Sequence, residues 1–239
     1  MTYTDIFIDF DDTLYDTYGN AVIALNELYE HYELGRYFNN PGQFFDIYWQ
    51  TNHKLWHQYA HGQISRDYLM IERMRRPLQA GTTADGKPLT PTTQQCADMG
   101  NKFLKLCADK PGTVEGAHQL MEYLKHKNYK LHMCSNGFHE VQYHKLRASK
   151  LIEYFDTIIL SEDAKANKPS PKFFDYAMQT SKATRETTIM IGDNIETDIR
   201  GAKQAGIATI FFNHFNLQHP DNQIADYEVN KLSDITQIL

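Results

Sequence analysis

Asp9-Phe10-Asp11-Asp12-Thr13 sets two carboxylates two residues apart, directly after the apolar run Ile6-Phe7-Ile8. If that run is a strand, Asp9 and Asp11 project from its end towards the same side, because side-chain direction repeats every second residue. A carboxylate so placed can attack phosphorus and carry an aspartyl-phosphate. A second one beside it can serve as general acid and then as general base. Gly192-Asp193-Asn194-Ile195-Glu196-Thr197-Asp198 adds two more carboxylates after another apolar run, Ile189-Met190-Ile191. Magnesium favours one or two protein carboxylates, keeps waters and bridges to phosphate oxygens. Asp9 and Asp193 suit direct ligation and Asp198 a metal-bound water, with Asp11 also counted among the candidate metal residues. The plainer reading makes Asp193 or Asn194 a helix N-cap.

Ser135-Asn136-Gly137 offers a hydroxyl and backbone N–H groups where a helix opens, an arrangement that receives anions. Lys168 precedes Pro169, which favours extended backbone there. Its ammonium would balance both the carboxylates and a phosphate dianion. Phe138 follows the Ser-Asn-Gly turn, so its ring either meets the substrate or fills the first buried turn of its helix. Thr13 is expected to orient its loop rather than to react.

These residues need strand ends to hold them, and the hydrophobic pattern supplies strands. Apolar runs at Ile6–Ile8, Tyr129–Cys134, Thr157–Leu160, Thr188–Ile191, Thr209–Phe212 and Tyr227–Val229 alternate with helical stretches. The spacing predicts helices over Gly112–His126 and from near Glu140, Pro171 and Ile195. Such alternation indicates an α/β core, a parallel sheet covered on both faces. Residues 18–108 instead follow helical spacing with no convincing strand, so a helical insertion of that span should sit between core segments 1–17 and 109–239. In open parallel sheets ligands bind beyond the carboxyl ends of the strands, where the residues above gather.

The ordered set Asp9/Asp11/Thr13, Ser135, Lys168 and Asp193/Asp198 resembles the haloacid dehalogenase-like superfamily, from Asp5 to about Phe212. The resemblance implies a Rossmann-like core with an inserted helical cap, magnesium as cofactor and phosphatase chemistry at Asp9. Asp12 stands where many members carry Gly. The stretch Cys134-Ser135-Asn136-Gly137-Phe138, followed by Val141-Gln142, looks like the nucleoside 5′-monophosphate phosphatase branch, which implies a pyrimidine nucleotide as substrate. Small sugar phosphates or phosphoglycolate are the alternatives. A phosphomutase uses the same aspartate chemistry, whereas a haloacid dehalogenase needs neither Asp11 nor Asp193.

The net charge of −6 argues against a broad nucleic-acid footprint, so a few placed cations must meet any anionic substrate. No apolar run reaches membrane-spanning length, and Met-Thr-Tyr-Thr-Asp lacks signal-peptide features. Three cysteines without CxxC spacing read as reduced thiols, which fits a cytoplasmic protein, monomeric or weakly dimeric. Two other patterns are set aside. Gly81–Lys87 matches most of a P-loop, but Pro88 stands where a metal-binding hydroxyl belongs and no strand precedes it. His53 and His57 have metal-like spacing, but Lys54 occupies the position where a zinc protease needs Glu.

Overall fold

The computed structural model describes residues 3–219 and 224–239. The chain divides into two compact units, Met1–Thr17 with Pro111–Leu239, and Tyr18–Lys110.

The first unit is a six-stranded parallel sheet: β1 (Asp5–Ile8), β2 (Lys130–Ser135), β3 (Thr157–Leu160), β4 (Thr188–Gly192), β5 (Ala208–Phe212) and β6 (Tyr227–Val229). Their spatial order is β3-β2-β1-β4-β5-β6, so β1 lies centrally, with Ile6 beside Leu131 and Ile189. Ile6 and Ile8 face one apolar cluster with Met133 and Ile191, while Phe7 faces another with Cys134 and Met190. Both faces are therefore dry, which is why β1 and β4 read as unbroken apolar runs.

Helices cover these faces. α5 (Ala117–His126) precedes β2, α6 (His139–Ala148) follows it, and α7 (Ser161–Ala164) and α8 (Pro171–Ser181) follow β3. Beyond β4 the backbone makes a wide π-helical turn, Ile195–Arg200, which runs into α9 (Gly201–Gln204).

One predicted helix starts late. Residues 112–115 form no helix: Val114 N–H donates to Leu14 O at 2.9 Å and Asp16 N–H to Gly112 O at 3.2 Å. Tyr15 and Thr113 thus pair as a short antiparallel bridge where the chain leaves and re-enters this unit. Gly116, at φ +85°, then turns the backbone left-handed before α5 begins.

The second unit holds α2 (Pro41–Ala60), α3 (Arg66–Gln79) and α4 (Thr93–Ala108), together with all of α1 (Thr17–His31) after its first residue. Side-chain caps start the later three: Asn40 accepts from Gln43 N–H, Ser65 from Tyr68 N–H, and Thr92 and Gln95 close a reciprocal box. Each cap contributes about 0.5–2 kcal/mol. Phe44 and Tyr48 belong to this unit's core with Leu25, Leu28, Met74 and Phe103, while Trp49, Trp56 and Tyr59 are half-buried. Segment Gly81–Lys87 is a hairpin-like turn in which Thr83 N–H bonds Lys87 O at 2.8 Å, preceded by α3 rather than a strand and with no helix opening until Thr93. Among the described residues no helix is long and apolar enough to cross a membrane.

Candidate active site

Asp9 continues β1 by one hydrogen bond, from its N–H to Ile191 O at 2.9 Å, which fixes its side chain at the carboxyl edge of the central strands. The backbone then folds back within one turn, Leu14 and Tyr15 N–H both bonding Phe10 O. Asp12 takes up the reversal at φ +58°. Aspartate tolerates this left-handed conformation better than most side chains, which accounts for an acidic residue where glycine is common. Thr13, fully buried, sends its hydroxyl between Asp9 Oδ2 and Asp193 Oδ1, at 3.2 Å from each.

Asp198 arrives from the π-helical turn, whose Ile199 N–H reaches Asn194 O, five residues back. Asn194 is the N-cap, its Oδ1 accepting from Glu196 and Thr197 N–H at 3.0 Å each. Capping by Asn194 leaves Asp193 free to face Asp9. Asp198 Oδ2 accepts from Asn194 N–H at 3.1 Å and its Oδ1 from Lys168 at 2.7 Å. π-Bulges of this kind recur at functional sites because they re-aim a side chain.

Lys168 is 1% exposed, and its three N–H bonds go to Asp9 Oδ1 (2.5 Å), Asp198 Oδ1 (2.7 Å) and Cys134 O (2.7 Å). Burial alone would lower its pKa, but the two carboxylates outweigh that and push it above the ordinary lysine range. Asn136 clamps the same segment: its Nδ2 donates to Lys168 O at 2.9 Å and its Oδ1 accepts from Lys168 N–H at 2.8 Å. Its side chain therefore holds the lysine backbone. The Lys168–Pro169 peptide is cis.

Asp9, Asp193 and Asp198 offer carboxylate oxygens within 4.8 Å of one another. Three carboxylates around one ammonium leave a formal charge of −2 in a buried setting. Burial pushes Asp9 up to about 7 against the pull of Lys168, and neighbouring Asp198 and Asp11 push the same way. Asp193 is raised well above its usual range, first by burial and then by Asp9 and Asp198. A hard divalent cation cancels the excess charge and takes oxygen ligands of this kind, so the residues fit magnesium.

Asp11 does not join that cluster. Its Oδ1 accepts from Thr17 Oγ1 at 2.6 Å and from Lys145 Nζ, and its Oδ2 from Gln142 Nε2 at 2.6 Å. Burial pushes the carboxyl up, but Lys145 and these hydrogen bonds win and hold it below the ordinary range. Its negative charge is already answered by Lys145, which removes the electrostatic need for a metal there. Motif reading missed Lys145 altogether and quoted Gln142 only for a resemblance, without a role in the site. Their signal was two polar side chains on the face of α6 shared with Val141 and Leu146.

Ser135, at the end of β2, is 1% exposed, and its Oγ accepts from Gly137 N–H at 3.0 Å and from Gln142 Nε2 at 2.6 Å. Phe138, read as a ring for the substrate or as a buried first turn, is the N-cap of α6 and 2% exposed. In this conformation it fills the interior. His53 and His57 line a surface cavity of about 500 Å³ with Lys54 and Arg76, cations that oppose a metal there. The three cysteines are buried and form no disulfide among the described residues.

The family model for haloacid dehalogenase-like hydrolases matches residues 6–212. The chain belongs to that family. The HAD-hydrolase YfnB of Bacillus subtilis, solved with magnesium bound, superposes with a TM-score of 0.85 at 27% identity, covering 100% of this chain and 99% of its own. Two curated relatives are similar over their whole lengths. The pyrimidine 5′-nucleotidase PynA of Streptococcus pneumoniae is 28% identical over 100% of this chain and 96% of its own. The pyrimidine 5′-nucleotidase YjjG of Escherichia coli is 28% identical over 100% and 99%. The protein is thus a hydrolase of the same family as these nucleotidases.

Proposed function

We propose that the protein is a magnesium-dependent phosphomonoesterase that hydrolyses nucleoside 5′-monophosphates, pyrimidine ones by preference, through a phosphorylated Asp9. The carrying observation is the charge balance at the strand ends. Asp9, Asp193 and Asp198 overpay Lys168 by two charges, which a dehalogenation at carbon has no use for.

In the first half-reaction an Asp9 oxygen attacks phosphorus, and the bond from phosphorus to the ester oxygen breaks. Asp11 in its acid form gives its proton to that leaving oxygen. The ionised Asp11 of this structure is the form needed afterwards; a phosphate dianion beside it favours the neutral acid, as like charges disfavour ionisation. The Ser135 hydroxyl receives a transferred oxygen, while Lys168, its three N–H groups committed to Asp9, Asp198 and Cys134 O, contributes its positive charge, a matter of positioning and neutralisation. Asp9, Asp193 and Asp198 would hold magnesium, which would neutralise the carboxylates and draw charge from the phosphoryl group. In the second half-reaction Asp11 takes a proton from water, which attacks phosphorus, and the Asp9–phosphorus bond breaks to release phosphate.

The substrate class rests on two supports. PynA and YjjG are named pyrimidine 5′-nucleotidases, and similarity to both runs the length of the chain. The Cys134–Phe138 and Val141-Gln142 stretches resemble that branch. Phosphate release from uridine, thymidine and adenosine 5′-monophosphates, phosphoglycolate, a hexose phosphate and a haloacid, with magnesium and with chelator, tests the reading. Pyrimidine nucleotides should show the highest kcat/KM and lose it with chelator. A lead for a sugar phosphate overturns the substrate, and halide release overturns the chemistry.

A further inference from the structure

Gln142 and Lys145 lie three residues apart on α6, so they share a helix face. Gln142 is wholly buried and Lys145 is 7% exposed. A long amide and an ammonium are costly in an interior unless groups there pair with them. Both find Asp11, Lys145 on one carboxylate oxygen and Gln142 on the other. The Tyr15 ring, its centroid 5.0 Å from the Lys145 ammonium, adds a cation–π contact.

Gln142 reaches a second partner with the same nitrogen. Nε2 carries two hydrogens, one for Asp11 Oδ2 and one for Ser135 Oγ, each at 2.6 Å. The amide orientation follows from Asp11, whose carboxylate requires a donor. Gly137 makes the approach possible, since a β-carbon there would lie 2.8 Å from Gln142 Cγ. Ser135 Oγ also accepts from Gly137 N–H, so both its lone pairs are engaged. Its hydroxyl hydrogen can then only be donated outward, the state that a phosphoryl oxygen requires.

We propose that Lys145 and Gln142 are positioning residues that lock the Asp11 carboxylate and the Ser135 hydroxyl into one hydrogen-bonded unit. The proton-transfer group and the phosphate-binding group then keep a fixed separation. This rests on the phosphomonoesterase reading above.

The test compares an alkyl phosphate with p-nitrophenyl phosphate, whose leaving oxygen barely needs a proton. Lys145→Met should lower kcat on the alkyl ester by about 10- to 100-fold, part of what a general acid supplies, and lower first-turnover nitrophenolate release far less. Lys145→Arg should recover most of the loss. Gln142→Leu should raise the inhibition constant of inorganic phosphate by about three- to tenfold, as Ser135 is freed to rotate. In an Asp11→Asn background the Lys145→Met effect should nearly vanish, because both changes remove one function. Equal losses on both esters, or an undiminished effect in that background, overturn the proposal and leave Lys145 a packing residue. A wild type inactive on every phosphate monoester instead overturns the functional reading, and the proposal with it.

Discussion

Gly192 and Asp198 compete for one volume: a β-carbon on Gly192 would lie 2.5 Å from Asp198 Cβ and 2.6 Å from its carboxyl carbon. The glycine is required by contact with Asp198. Gly192→Ala must therefore displace the aspartate that holds Lys168, at an overpacking cost of about 1–3 kcal/mol. A lower melting temperature with a weaker response to magnesium is expected. An unchanged magnesium response would mean that Asp198 does not depend on this glycine.

Asp9→Asn should abolish turnover and leave the fold intact. The amide is nearly isosteric, and Lys168 keeps Asp198 and Cys134 O as partners. Beryllofluoride should label wild type at Asp9 and not the variant, as read by mass spectrometry or fluorine resonance. Appreciable activity in the variant would remove Asp9 from the role of nucleophile.

The crowded carboxylates set stability against metal binding. Asp193→Asn removes a charge that burial, Asp9 and Asp198 all oppose, so the metal-free variant should melt at or above the wild-type temperature. Wild type should gain stability with magnesium, since a ligand that binds only the folded state adds RT ln(1 + [L]/Kd). The variant should gain little. Melting curves with magnesium and with chelator separate the two, and equal gains would exclude Asp193 as a ligand.

His132 gives the fold an acid-sensitive point remote from Asp9 in sequence. Its Nε2–H donates to Asp5 Oδ1 at 3.0 Å, while Nδ1 is buried without a partner among the described residues. Burial lowers its pKa below 6.5, and Asp5 only partly opposes that. The unfolded chain therefore binds the proton more readily than the folded one. His132 costs nothing above pH 6.5, and stability is lost as pH falls from 6.5 through the folded value. His132→Gln keeps a donor for Asp5 without titrating. Its melting temperature should fall less steeply than that of wild type between pH 7 and pH 5, and parallel curves would refute the assignment.

The strands were legible because both faces of the sheet are buried, so Ile6–Ile8 and Ile189–Ile191 stand out as short apolar runs with carboxylates at their ends. Local spacing also placed the turn at Ser135-Asn136-Gly137. What spacing could not reveal are partners set by the tertiary fold. Gln142 entered only through a resemblance and Lys145 not at all, because Asp11 is 131 and 134 residues away. Asn136 was read for the backbone N–H groups of its turn, and nothing local showed that its side-chain amide also clamps the Lys168 backbone, 32 residues on. Gly112–Glu115 took the helical pattern of α5, and only the pairing of Thr113 with Tyr15 draws it out into extended backbone.

That pairing has an evolutionary consequence. Where Leu14–Asp16 and Gly112–Val114 run antiparallel, the two backbones are roughly 5 Å apart, the ordinary spacing of paired strands. The first unit thus presents residues 18–110 with the geometry of a hairpin loop, whatever that loop contains. Closure entropy grows only with the logarithm of loop length, so lengthening or replacing the insert costs the host little. Recombination at this ribbon can exchange the whole segment as one cassette while the strand-end residues keep their register.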